Sequence, residues 1–297
     1  MIKTEALVKR YGDFIALDHV NIHVKKGSIY GMVGPNGAGK TTLLKILTGI
    51  YRQNSGSVAI MGESVEDNEV LKQKICFIPD DLYYFPMATV KSMATFYRQM
   101  YDVFDLQRFD RIQELLGISV DKKISQLSKG MKKQVAFWLA ICTKPEVLIL
   151  DEPVDGLDPV MRRQIWSLLL QDVAERQMTV IVSSHNLREL EDVCDHVGIL
   201  HQGQLLLERD LEEMKSDIHK VQVSFGKKEV NMAFLEPLKE MSVGSVKTLI
   251  VRGTREEIED RIRDFSPLVL DFIPLTLEEI FIYEIGGKGY EVTNIIL

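Results

Sequence analysis

The sequence predicts an α/β core built on a parallel sheet, followed by a small α+β module. The first observation is Val147-Leu148-Ile149-Leu150, an unbroken apolar run ending in Asp151-Glu152-Pro153. Hydrophobicity without alternation at that length marks a strand covered on both faces, as in a parallel sheet. The second is a repeat of the pattern in Thr179-Val180-Ile181-Val182-Ser183, with helical stretches over 131–143 and 160–176 between and beside these strands. Such alternation puts ligands at the carboxyl ends of the strands. The third is a change of character beyond about residue 215, where Val221, Val223 and Phe225 alternate, as do Leu249 and Val251.

The other elements follow in order. Residues 1–30 alternate like antiparallel strands through Ala6 and Val8, then Val20, Ile22 and Val24, with Lys25-Lys26-Gly27 as a turn. Ser28–Val33 reads as a buried strand, and Leu43, Leu44, Ile46 and Leu47 have helical spacing that runs up to Gly49. Ser57–Gly62 is a further strand before a turn. Residues 87–117 look largely helical, with Phe109, Ile112 and Leu116 on one face and Gly117 as the stop. Val197–Leu200 and Leu205–Leu207 form a hairpin through Gln202-Gly203. Thr254-Arg255-Glu256-Glu257 and Thr276-Leu277-Glu278-Glu279 are capping boxes that open helices. The expected domains are 1–215, 216–285 and a loose tail over 286–297.

Bulk composition excludes several classes. The 297 residues are 45% hydrophobic and 27% charged, which is globular. A formal charge of −7 argues against a general nucleic-acid binder, which needs a basic face. Cys76, Cys142 and Cys194 are few and far apart, so buried thiols in a reducing cytosol are expected rather than a disulfide framework. No stretch approaches the ~20 apolar residues of a membrane span, and Met1-Ile2-Lys3-Thr4-Glu5 lacks a signal-peptide core. The expectation is a soluble, cytoplasmic protein that reaches a membrane only through a partner.

The chemistry concentrates in Gly34-Pro35-Asn36-Gly37-Ala38-Gly39-Lys40-Thr41-Thr42, which fills the phosphate-binding pattern G-x-x-x-x-G-K-[ST]. A strand, a glycine loop and a helix N-terminus aim backbone N–H groups and the helix dipole at one point, which suits a polyphosphate. Lys40 would reach the β- and γ-phosphates, and the Thr41 hydroxyl would ligate Mg²⁺. Asp151 and Glu152 end a buried strand, where Asp151 can hold Mg²⁺ and Glu152 can orient or deprotonate the attacking water. Phosphoryl transfer is mostly positioning and charge stabilisation, so these parts form a minimal set for hydrolysing a nucleoside triphosphate. Standing alone, each has a plainer reading as a turn residue.

Leu127-Ser128-Lys129-Gly130-Met131, lying before the Asp151-Glu152 strand, resembles the LSGGQ signature of ATP-binding-cassette (ABC) transporters. With the phosphate loop, it makes residues 1 to about 215 similar to the nucleotide-binding subunit of that family. The resemblance implies a P-loop NTPase cassette with a parallel-sheet core, an antiparallel β subdomain and a helical subdomain. It further implies that two subunits sandwich two ATP molecules, Ser128 and Gly130 of one capping the γ-phosphate held by the other. Lys129 and Met131 depart from the usual signature. By the same resemblance Tyr11 stacks on adenine, Gly156-Leu157-Asp158 is the loop that communicates across the dimer, and His185 contacts the γ-phosphate. Asp80, in Ile78-Pro79-Asp80-Asp81, stands where the family usually carries Gln and is expected to touch Mg²⁺.

Leu82-Tyr83-Tyr84-Phe85-Pro86-Met87 falls where the family receives a helix of the transmembrane subunit, although adjacent aromatics also suit a core. The carboxyl-terminal module resembles an extension found on subunits of bacterial ABC-2-type exporters. The implied function is an ATPase that powers separate membrane-spanning subunits of an exporter, as a homodimer or a heterodimer. A cassette ATPase that remodels a ribosomal, DNA or cell-wall complex is the alternative. The single cassette and the short stretch from Thr41 to Glu152 disfavour the translation and DNA-repair forms. Lys40, Asp151, Glu152 and His185 argue against a silent subunit.

Overall fold

The computed structural model describes residues 1–226, 228 and 230–286, which divide into two units, Met1–Glu208 and a second starting at Arg209. The predicted tail lies, from residue 287 on, outside the described residues. In chain order the first unit runs β1 (Ile2–Tyr11), β2 (Phe14–Val20), β3 (His23–Val24), β4 (Ile29–Val33), α1 (Lys40–Leu47), β5 (Ser55–Ile60), α2 (Glu69–Lys72) and β6 (Ile75–Ile78). It continues through α3 (Val90–Met100), α4 (Leu106–Leu116), α5 (Lys129–Cys142), β7 (Val147–Asp151), α6 (Pro159–Arg176), β8 (Thr179–Ser184), β9 (His196–His201) and β10 (Gln204–Asp210), whose last two residues belong to the second unit.

Two sheets and a helical layer result. The six-stranded sheet has the order β10-β9-β4-β8-β7-β6, with β9, β4, β8, β7 and β6 mutually parallel. Strands β4, β7 and β8 are buried at every residue, which is why their sequences are continuous apolar runs. The smaller sheet is antiparallel: β1 pairs with β2, β3 and β5. Helix α1 packs between the sheets, where Leu43, Leu44, Ile46 and Leu47 join Ile2, Leu7, Ile60, Ile149 and Ile181 in one core.

Strict alternation fails in β1. Ala6 is exposed at φ 45°, the pairing register slips beside it, and Leu7 and Val8 are both buried. A bulge places two consecutive side chains inward, and the Ala6 N–H is satisfied by Asn21 Oδ1 at 2.7 Å. The predicted helical stretch 87–117 is two helices. Thr89 and Ser92 form a capping box that opens α3, while the Asp105 carboxylate caps Arg108 N–H to restart the chain as α4. Gly117 ends α4 in the left-handed region, φ 63°. Phe109 and Ile112 are buried, while Leu116 is half-buried.

Helix α5 is buried on nearly all sides from Lys133 to Cys142. Trp138 stacks on Phe109 of α4, with ring centroids 4.4 Å apart, and its indole N–H donates to the Phe109 carbonyl at 2.9 Å. Asp172 of α6 is buried but receives Arg108 at 2.8 Å and Arg176 at 3.1 Å, so its charge is paired. Cys76 and Cys142 are buried free thiols, which burial pushes up to about 11 and about 12, and Cys194 is half-buried.

The second unit holds α7 (Leu211–Asp217), β11 (Ile218–Ser224), β12 (Lys239–Val243), β13 (Val246–Arg252), α8 (Arg255–Arg263), β14 (Val269–Ile273) and α9 (Leu277–Gly286). Its four-stranded antiparallel sheet has the order β12-β13-β11-β14. Val221, Val223, Leu249 and Val251 cover Ile258 and Ile262 of α8. Both capping boxes form, with Thr254 and Glu257 opening α8 and Thr276 and Glu279 opening α9. Among the described residues no helix is long and apolar enough to cross a membrane.

Candidate active site

Four neighbouring parallel strands bring the chemistry to one edge of the sheet. Val33 of β4 is level with Ser184 of β8, Asp151 of β7 with Ser183 of β8, and Ile78 of β6 with Leu150 of β7. Gly34, His185, Glu152 and Asp80 follow at the carboxyl ends. A cleft of about 300 Å³ lies there, lined by Pro35 to Thr42, Tyr11, Phe14, Ala16, Asp80 and Glu152.

Two glycines make the loop buildable. A side chain on Gly34 would place its Cβ 2.1 Å from the Leu200 carbonyl oxygen, and Gly39 sits at φ 108° with its Cβ position 2.6 Å from the Ala16 carbonyl oxygen. Gly39 is also the N-cap of α1, and no side chain caps that helix. Its first N–H groups therefore present an uncompensated positive pole to the cleft.

Lys40 is buried, and its ammonium donates to the Gly34 carbonyl at 2.6 Å and the Pro35 carbonyl at 3.3 Å. Glu152 Oε1 lies 3.3 Å from the same ammonium but makes no aligned hydrogen bond, so that contact is an ion pair only. The other carboxylate oxygen of Glu152 meets His185 Nδ1 at 2.8 Å and accepts the His185 N–H at 3.3 Å. Glu152 itself has φ 45°, a left-handed conformation that a glutamate seldom takes. Its N–H donates to Ser183 Oγ at 3.0 Å, and the Ser183 hydroxyl donates to Asp151 Oδ1 at 2.6 Å. Ser183 thus ties the two acidic residues together.

One wall of the cleft is aromatic, with Tyr11 and Phe14. Tyr11 ends β1 and pairs across a two-residue turn with Phe14 of β2. The Tyr11 ring stands edge-on to Tyr51 at 6.2 Å, and Lys9 Nζ lies 5.1 Å from its centroid.

Other predicted residues are elsewhere. Ser128 caps α5 by accepting the Met131 N–H at 3.2 Å, and Asp158 caps α6 by accepting from Val160 and Met161. Gly130 lies close to the Gly156 carbonyl, where an added Cβ would come within 3.3 Å, and Lys129 pairs with Asp155 at 3.3 Å. Lys129 holds the Asp155 carboxyl below the usual carboxylate range. The signature segment and the 155–158 loop therefore touch each other, and neither lines the cleft of its own chain. Asp80 lines it, but its Oδ1 receives Lys133 Nζ at 3.1 Å. Phe14, Ala16, Ser183 and Lys133 were not legible as site residues. Phe14 has a visible signal, its place three residues beyond Tyr11 across the Gly12-Asp13 turn.

Comparison with known proteins decides the family. A family profile described as "ABC transporter" matches residues 17–155. The ABC transporter ATP-binding protein YtrB of Bacillus subtilis (strain 168) is 32% identical over 97% of this chain and 99% of its own length. This chain belongs to the ABC transporter ATP-binding proteins. Another ABC relative is the bacitracin transport ATP-binding protein BcrA of Bacillus licheniformis, 36% identical over 72% of this chain and 71% of that one. Among solved structures, the dimeric post-hydrolysis state of the ATP-binding cassette MJ0796 with ADP and Pi has a TM-score of 0.64 and 23% identity. It covers 71% of this chain and 99% of that chain, and it shows the shared ABC cassette fold. The sequence expectation of an ABC cassette with parallel-sheet core, antiparallel subdomain and helical layer is borne out.

Proposed function

We propose that this ABC ATP-binding subunit closes a dimer on binding ATP at the 34–42 loop, reopens it on hydrolysing that ATP with Mg²⁺, and so drives an exporter. The observation that carries the reading is the position of Glu152, held between Lys40 of the phosphate loop and His185 at the ends of adjacent strands. A triphosphate entering the loop would take Lys40 from the Gly34 and Pro35 carbonyls, and its γ-phosphate would repel Glu152 into a water-facing position. There the carboxylate would accept a proton from the attacking water, while His185 would keep it oriented and contact the γ-phosphate. Ser128 and Gly130 would serve the partner cassette's nucleotide, since they stand away from the cleft of their own chain.

The donor set fits Mg²⁺. The Thr41 hydroxyl and the buried Asp151 carboxylate are hard oxygen ligands, and Mg²⁺ needs only one or two of these when phosphates and water complete its shell. No cluster of three acidic, His or Cys side chains is required, and none occurs among the described residues. When bound, the ion would neutralise charge on the β- and γ-phosphates.

The export direction rests on the similarity to a bacitracin transport protein and on the resemblance of the second unit to exporter extensions. Phosphate release from ATP by the full chain tests hydrolysis. Release that needs Mg²⁺ and is lost in Lys40→Ala is expected; no release from the wild-type chain would overturn the reading. Tyr11→Ala is expected to weaken ADP binding about 5- to 150-fold, the range for removing one base-stacking aromatic. Calorimetric titration measures it, and unchanged affinity would leave Tyr11 only its packing on Tyr51.

A further inference from the structure

Lys133 is as buried as any charged side chain described in the first unit, 2% exposed like Asp151 and Asp172, and the sequence offers no reason for a lysine there. Its surroundings supply one. The ammonium donates to Asp80 Oδ1 at 3.1 Å and to the carbonyl of Glu152 at 2.7 Å. Asp80 belongs to the loop after β6, Lys133 to α5, and Glu152 to the end of β7, so one side chain joins three elements. A buried cation is tolerated only when paired and hydrogen-bonded, and Asp80 and the Glu152 carbonyl together meet that demand.

The backbone of Glu152 makes the contact consequential. Its left-handed conformation at φ 45° persists only while the surroundings hold it. Ser183 holds the N–H side and Lys133 holds the carbonyl side. The same loop is tethered to α5 a second time, where the Tyr84 hydroxyl donates to the Lys132 carbonyl at 2.7 Å. Movement of the loop therefore pulls on α5 and, through Lys133, on the peptide that aims the Glu152 carboxylate.

We propose that Lys133 is a positioning residue, and that its ion pair with Asp80 couples the loop after β6 to the backbone of Glu152. Asp80 serves as the counter-ion of Lys133 and not as a metal ligand. The inference rests on the reading of Glu152 as the residue that accepts the water proton, so Glu152→Gln is assayed in parallel.

The test uses Asp80→Asn, Lys133→Gln and the double variant in the full chain. Asp80 is half exposed, at 48%, so Asp80→Asn keeps the test open if the buried substitution does not fold. Hydrogen exchange of the nucleotide-free protein is read over residues 148–158, with kcat, Mg²⁺ half-saturation and thermal midpoint measured beside it. Each single variant is expected to speed exchange in that segment and to lower kcat about 10- to 100-fold, as for groups that orient a catalytic residue through hydrogen bonds. Mg²⁺ half-saturation stays within about twofold, and the double variant is no worse than the worse single, because the two residues act as a unit.

Unchanged exchange and kcat in both singles would overturn the coupling. A large rise in Mg²⁺ half-saturation for Asp80→Asn alone would make Asp80 a metal ligand instead. A changed thermal midpoint with normal kcat per folded site would reduce the pair to a structural contact. Wild-type turnover in Glu152→Gln would instead sink the role of Glu152, whatever Lys133 does.

Discussion

Glu152→Gln is expected to lower kcat for ATP hydrolysis by about 10²–10⁴-fold, the range for removing a general base. The amide keeps the shape of the side chain, and its oxygen can still face His185, which the carboxylate meets at 2.8 Å. It cannot accept the water proton. It also removes the negative charge that lies 3.3 Å from the Lys40 ammonium. Lys40 then competes less with an internal partner for the γ-phosphate, so ATP affinity is expected to hold or rise. The two effects together give a protein that binds ATP and stalls, and steady-state phosphate release with parallel ATP titration separates them. A kcat within about twofold of wild type would remove Glu152 from its role.

Trp138→Ala is expected to destabilise the first unit by about 3–5 kcal/mol, the usual loss for truncating a buried Trp. The ring is 1% exposed and stacks on Phe109, so the cavity has no water to fill it favourably. The variant also strips the Phe109 carbonyl of its indole donor. Because Phe109 sits on α4 and Trp138 on α5, the loss loosens the helix whose first turn is capped by Ser128. Urea unfolding measures the change. A loss below about 1 kcal/mol would show that α4 and α5 repack around the gap.

The parts of this molecule that were legible in the sequence are those governed by local chemistry. The 34–42 loop declares itself because glycine is forced where backbone approaches backbone, as at Gly34 and Gly39. Strands β4, β7 and β8 declare themselves because burial on both faces removes the alternation of polar and apolar positions. Two features stayed hidden for opposite reasons. The bulge at Ala6 breaks a period of two with no Gly or Pro to announce it, its N–H being rescued by Asn21 from the link between β2 and β3. Lys133 follows Lys132 and reads as one more solvated charge, since its partners come from β6 and β7 ends that only the folded sheet brings near. Asp80 reads as a metal acid for the same reason: the Lys133 ammonium that meets it is distant in the chain.

ATP turnover at this cleft is expected to move a membrane partner. Affinity purification of the Glu152→Gln protein from its native cells, in mild detergent with Mg-ATP, tests it most directly. Mass spectrometry is expected to recover a polytopic membrane protein in near-stoichiometric amount. Recovery of ribosomes, DNA-bound factors or cell-wall hydrolases, with no membrane-spanning partner, would contradict it.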